Sequence, residues 1–125
     1  MTPSPTILLV DDEDSTRKIV TAQLESQGLR VLPLSSGDAV VPAVKESHPD
    51  LVILDLNMPD KDGWTVAKEL KEDDSTKELP IIAMSGLSQS EDRQSALDAG
   101  CHAYAQKPLS TDELMASIRQ LLPDL

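Results

Sequence analysis

The sequence predicts one α/β domain: a doubly wound, five-stranded parallel sheet with helices on both faces. Three observations carry that expectation. Short aliphatic runs at residues 7–10, 51–54 and 81–84 have the length and makeup of strands buried on both faces. Strand-like and helix-like segments alternate from end to end of the 125 residues. Each run also stops on a residue able to bind a cation or a phosphate: Asp11 and Asp12, then Asp55, then Ser85, with Lys107 in the same position after a short Ala/Tyr run. In an open parallel sheet the binding crevice lies beyond the carboxyl ends of the strands, so these residues are expected to meet along one edge.

The elements follow in order. Residues 6–10 read as the first strand and 14–27 as a helix with Ile19, Val20 and Leu24 on one face, closed by Gly28 just past its end. The second strand is expected over 30–34. The next helix should occupy about 36–47, but Pro42 lacks a backbone donor and clashes with the preceding turn, so that helix is expected to be kinked, shortened or late to start. Residues 51–54 form the third strand, and 63–72 a helix with Trp64, Ala67 and Leu70 on one side. The fourth strand spans 80–84. Ser88 and Glu91 have capping-box spacing for a helix that ends near Ala99 and is stopped by Gly100. Residues 103–106 are placed as the fifth strand by position more than by composition. Ser110 and Glu113 repeat the capping box, Leu109 and Leu114 sit where a hydrophobic staple would, and Leu114, Ile118, Leu121 and Leu122 make the buried stripe of the last helix.

This gives a flexible N-terminus over 1–5, one domain over 6–122 and a short tail over 123–125, with no repeat, low-complexity tract or long linker; Met1 and the last residues read as the ends of a natural unit. Strand order does not follow from the pattern. The doubly wound order 2-1-3-4-5 would make strands 1 and 3 neighbours at a switch point and bring Asp11, Asp12 and Asp55 together.

Composition narrows the partners. Twenty-two acidic residues against eleven basic ones give a net charge of −11, which repels nucleic-acid backbones and anionic lipid surfaces. Cys101 is alone, so no internal disulfide forms, which fits a reducing compartment. No signal peptide opens the chain and no apolar run approaches about 18 residues, so a cytoplasmic location is expected. Phe is absent, and Trp64 and Tyr104 are the only aromatics, which leaves an aliphatic core.

The chemistry of the strand ends follows from charge. Two carboxylates about 4 Å apart repel by roughly 4 kcal/mol at an effective dielectric of about 20. A cluster of three therefore needs either a proton or a cation. Mg²⁺, which takes oxygen ligands, keeps several waters and pairs with phosphate, is the expected occupant. Lys107 would then face one phosphoryl oxygen and Ser85 another, and a carboxylate in such a site can attack phosphorus. Phosphoryl transfer to aspartate is the chemistry these residues support.

Asp11-Asp12, Asp55 within Leu54-Asp55-Leu56-Asn57-Met58-Pro59 with Gly63 beyond, Ser85-Gly86 and Lys107-Pro108 make the chain similar, from Ile7 to Leu122, to the CheY-like receiver domains of two-component response regulators. The resemblance implies a flavodoxin-like (βα)5 fold and Asp55 as acceptor of phosphate from a sensor histidine kinase or a histidine phosphotransfer protein. It implies Mg²⁺ held by Asp12, Asp55 and the main-chain carbonyl of Asn57, with Asp11 acting largely through water. Lys107 would contact the phosphoryl group and precede a cis Pro108. Ser85 and Tyr104 match the family's switch pair, controlling a downstream protein through the surface of helix 4, strand 5 and helix 5. The family's dephosphorylation rate depends on positions occupied here by Asn57 and Leu87; Leu87 cannot orient a water, so slow loss of phosphate is expected. The protein would be a switch that catalyses its own phosphorylation, not a metabolic enzyme.

Other readings compete. Asp11 and Asp12 could simply cap the first helix, Asp60 and Asp62 belong to a solvated turn, and His48 and His102 sit at the wrong ends of their units to reach the site, facing solvent. A haloacid-dehalogenase-type phosphatase needs a second Asp where Asn57 stands. An EF-hand loop starting at Asp55 fails at Pro59, Asp60 and Val66, and a nucleotide-binding domain lacks its glycine-rich loop. Within signalling, diffusible output and relay of phosphate to a histidine phosphotransfer protein both remain open.

Overall fold

The computed structural model describes residues 4–86 and 90–123. Its elements are β1 (Thr6–Val10), α1 (Asp14–Glu25), β2 (Arg30–Leu34), a 3-10 turn (Gly37–Ala39), α2 (Val40–Ser47), β3 (Leu51–Asp55), α3 (Gly63–Glu72), β4 (Ile81–Ser85), α4 (Ser90–Asp98), β5 (Ala103–Gln106) and α5 (Thr111–Leu121). The strands are all parallel, in the order β2-β1-β3-β4-β5.

Alternation along the central strands divides the core into two layers. Leu8, Val10, Val52, Leu54, Ile81 and Ala83 face one side, where α2, α3 and α4 cover them with Val40, Val44, Val66, Ala67, Leu70 and Ala96. Ile7, Leu9, Leu51, Ile53, Ile82 and Met84 face the other, under Val20 and Leu24 of α1 and Leu114, Met115 and Ile118 of α5. Burial on both faces explains why β1, β3 and β4 read as unbroken apolar runs. The weaker β2 and β5 are the two edges; Pro33 is tolerated in β2 because an edge strand can spare a donor.

Several expectations are refined. Pro42 falls in the first turn of α2, where its missing N–H costs nothing; the helix starts at Val40 after a 3-10 turn that Ser36 caps by accepting from the Asp38 N–H. α1 stops at Glu25, and Gly28 (φ +85°) and Leu29 close it by donating to the Glu25 and Leu24 carbonyls. Ile19 is not part of the core: it is 60% exposed, because the buried stripe of α1 runs through Val20 and Leu24. Met115 and Val66 are buried beside the stripes expected for their helices. Ser110 accepts from the Glu113 N–H and caps α5 as expected. The Ser88 capping box falls outside the described residues, as do residues 1–3, Leu87 and the last two residues.

Candidate functional site

The carboxyl ends of β1, β3, β4 and β5 converge on one edge. Backbone hydrogen bonds continue past the strands and fix the loops there: Asp11 N–H donates to Leu34 O, Leu56 N–H to Met84 O, and Lys107 N–H to Ser85 O. One oxygen from each of Asp11, Asp12 and Asp55 lies within 4.8 Å of the others. Asp11 and Asp55 are buried, whereas Asp12 is open to water.

The β1–α1 loop does not use its acids as simple caps. Glu13 holds the cap position of α1 without a side-chain hydrogen bond, and its N–H is taken by Asp11 Oδ1 at 2.8 Å. Arg17, one turn into α1, donates to the main-chain carbonyl of Asp11 at 2.7 Å and pairs with Asp14. Asp11 is thereby oriented from both sides, and its second oxygen lies 2.7 Å from Lys107 Nζ.

Lys107 arrives from the end of β5, and its peptide bond to Pro108 is cis, as the resemblance implies. Its ammonium is 3.4 Å from Asp55 Oδ2 and 3.4 Å from Glu13 Oε1. Burial alone would lower its pKa, but the Asp11 hydrogen bond and the charges of Asp55 and Asp11 outweigh it and hold the pKa above the ordinary value.

Asp55 responds in the opposite sense. Burial pushes its carboxyl from 3.8 up to about 6; the Asn57 N–H, which donates to Oδ1 at 3.0 Å, works against that, Asp11 adds to it, and Lys107 again opposes it. The sequence-level expectation that the cluster cannot remain fully charged unaided is thus expressed at Asp55. A set of three oxygen donors, two buried and one solvated, suits a small hard cation that retains water.

Asn57 also reaches β4, its Nδ2 donating to Ser85 Oγ at 2.8 Å, and Ser85 is fully buried. Tyr104 lies in β5, half-buried on the α3/α4 side, with the Arg93 guanidinium 5.9 Å from its ring centre. The remaining candidates stay apart from the cluster. Asp62 caps α3 by accepting from the Thr65 N–H, and Asp60 accepts from Ser36 Oγ at 2.6 Å. His48 and His102 are on the opposite edge. His48 is exposed and left-handed at the end of α2, but His102 is more than a solvent-facing residue, since its Nδ1 accepts from the Ile81 N–H.

Three contacts at this edge have no counterpart in the sequence pattern. Arg17 lacks any local signal, because its partner is a carbonyl. Glu13 meets Lys107 from 94 residues away, and the Ser36–Asp60 bond ties the β2–α2 turn to the loop after Asp55 across 24 residues.

Comparison with known proteins agrees with this arrangement. The family model of the response regulator receiver domain matches residues 7–119. A probable transcriptional regulator, ycf27, of Porphyridium aerugineum is 40% identical over 116 residues, covering 93% of this chain and 47% of that protein. The chain spans about half the length of several curated relatives it matches. Among solved structures, a putative response regulator from Chloroflexus aurantiacus superposes with a TM-score of 0.92 at 28% identity, covering 96% of this chain and 98% of that one. The receiver domain of the sensor histidine kinase PA1611 from Pseudomonas aeruginosa, which has a magnesium ion coordinated in its active site cleft, does so with a TM-score of 0.89 at 28% identity, covering 96% and 98%. From the five-stranded order, the strand-end acids and the family match over residues 7–119, this chain belongs to the response regulator receiver domain family.

Proposed function

We propose that this receiver is a phosphorylation switch in which Asp55 accepts a phosphoryl group from a histidine kinase or histidine phosphotransfer protein. The observation that carries the reading is the position of Asp55: buried at the end of the central strand, within 4.8 Å of Asp11 and Asp12, and 3.4 Å from the Lys107 ammonium. A carboxylate oxygen of Asp55 attacks phosphorus as the bond from phosphorus to the donor nitrogen breaks, and the imidazole leaves with its electron pair. Asp55 must be ionised to do this, and Lys107 favours the ionised form.

Asp12, Asp55 and the main-chain carbonyl of Asn57 would hold Mg²⁺, with Asp11 acting through water. When bound, the ion offsets carboxylate charge and stabilises negative charge on the phosphoryl oxygens. Lys107 changes partners in this scheme. Its present contacts with Asp11 and Asp55 give way to one with a phosphoryl oxygen.

Ser85 supplies the readout. Its hydroxyl, which now accepts from Asn57, turns to donate to the phosphoryl group, and Tyr104 moves inward behind it. The two-state element is the end of β4 and the face of α4, β5 and α5, where a downstream protein docks. Among the described residues no helix is long and apolar enough to cross a membrane.

Incubating the protein with Mg²⁺ and acetyl phosphate and measuring intact mass tests the reading. A single phosphoryl adduct in the parent, absent in Asp55→Asn, is expected. No adduct in the parent, or one that survives in Asp55→Asn, overturns it.

A further inference from the structure

The phosphoacceptor cleft, of about 420 Å³, is lined by Glu13, Asp55, Asn57, Gly86 and Lys107. Asp55, Asn57 and Lys107 belong to the chemistry already described, and Gly86 follows Ser85 in the chain. Glu13 has no part in that chemistry, and its setting is unusual for a cap residue. Asp11 Oδ1 has taken the Glu13 N–H, and the Glu13 side chain makes no capping bond. It leans instead across the mouth of the cleft, with Oε1 3.4 Å from Lys107 Nζ, while remaining 59% exposed.

Resting on the phosphoacceptor reading above, we propose that Glu13 is a specificity-determining residue that disfavours small free anionic phosphodonors and so favours a phosphoryl group carried on a protein imidazole. The argument is one of charge and place. A donor bringing phosphorus to Asp55 must come within one Debye length of the Glu13 carboxylate, about 8 Å at physiological salt. Lys107 already faces Asp11 at 2.7 Å and Asp55 at 3.4 Å, so a single ammonium is shared among three carboxylates and does not cancel Glu13. Net charge points the same way, since an excess of −11 leaves no surrounding cationic field to draw an anion in. A protein carrier escapes much of this penalty, because its docked surface supplies binding energy that a small molecule lacks.

The Coulomb origin makes a quantitative demand. The energy Glu13 imposes is proportional to donor charge, so the gain on neutralising it for a dianionic donor is about the square of the gain for a monoanion. A purely structural role would instead accelerate every donor by the same factor.

The test compares parent, Glu13→Gln and Glu13→Asp with saturating Mg²⁺ at neutral pH, following the phosphoryl adduct by mass with acetyl phosphate, a dianion, and with phosphoramidate, which carries one negative charge fewer. Glu13→Gln is expected to raise the second-order rate by about tenfold for acetyl phosphate and about threefold for phosphoramidate at low ionic strength, with both gains shrinking at high salt. Glu13→Asp, which keeps the charge, is expected to behave as the parent. Equal gains for the two donors, or no gain, with a parent that is still labelled, overturn this inference alone. No adduct in parent and Glu13→Gln alike overturns the phosphoacceptor reading together with it.

Discussion

Asn57 Nδ2 donates to Ser85 Oγ across 2.8 Å, so the loop that follows the central strand is tied by a side chain to the buried end of its neighbour. The same residue gives its N–H to Asp55 Oδ1. One short segment therefore touches both the candidate acceptor and the candidate reporter.

Asn57→Ala removes the bond to Ser85 and leaves the main-chain donor to Asp55 in place. We expect a loss of about 1 kcal/mol, the ordinary net worth of such a bond, seen as a fall in Tm of a few degrees. An unchanged Tm would show that Ser85 is held by its other contacts.

Asp55 makes folding stability depend on pH. Its folded pKa, about 6, lies above the ordinary 3.8, so between those values the folded state binds more protons than the unfolded one. Stability from this group is therefore present below about pH 4 and is lost as pH rises through 6. The full difference corresponds to about 3 kcal/mol at most. That figure already includes the opposing pull of Lys107 and is an upper bound, so Asp55→Asn is expected to gain up to about 3 kcal/mol at pH 7.5 in the absence of divalent cations, shrinking toward zero at pH 4. Thermal melts of both proteins across that range check it, and a gain that is constant with pH would be inconsistent with this origin.

Much of this could be read in the chain itself. The three central strands announce themselves because both of their faces are buried, and the polar residues that end them follow directly. Ser110 is equally plain, since a cap bond is local. The misplacement of Ile19 has a physical reason: α1 meets the sheet along a stripe one residue wide there, and periodicity places Ile19 and Val20 equally well. Arg17 and Glu13 act through a main-chain carbonyl and through Lys107, which lies at the far end of the chain, and no spacing rule reports either contact.

Mg²⁺ is expected to raise the Tm of the parent, and EDTA to reverse the rise. At a concentration about 100 times its Kd the ion contributes about 2.7 kcal/mol. Asp12 is exposed and supports no part of the core, so Asp12→Asn is expected to fold with nearly the parent's metal-free Tm while losing most of the response. A full response in Asp12→Asn would remove that residue from the ion's ligands.

Gly63 opens α3 directly under the central strand end. A Cβ built there would sit 2.5 Å from Asp55 O and 2.7 Å from Leu56 Cα, both backbone atoms that cannot swing aside. Gly63→Ala is expected to cost at least about 2 kcal/mol by overpacking. It should also weaken the Mg²⁺ response, because the strand end must shift. Denaturant melts with and without Mg²⁺ separate the two effects.

The order β2-β1-β3-β4-β5 has a consequence for how this edge comes into being. Asp12, Asp55 and Lys107 sit at the ends of strands far apart along the chain, and each pair meets only by closing a long loop. No single β-α unit carries more than part of the charge cluster. Asp11 and Asp12 are neighbours in any state, but their repulsion of Asp55 is nearly absent from the unfolded chain and is felt only once β1 and β3 have paired, with β5 then bringing Lys107 to offset it. Opening the β1–β3 seam in a single molecule dismantles the whole arrangement at once, so the cluster exists only as a property of the cooperatively folded domain.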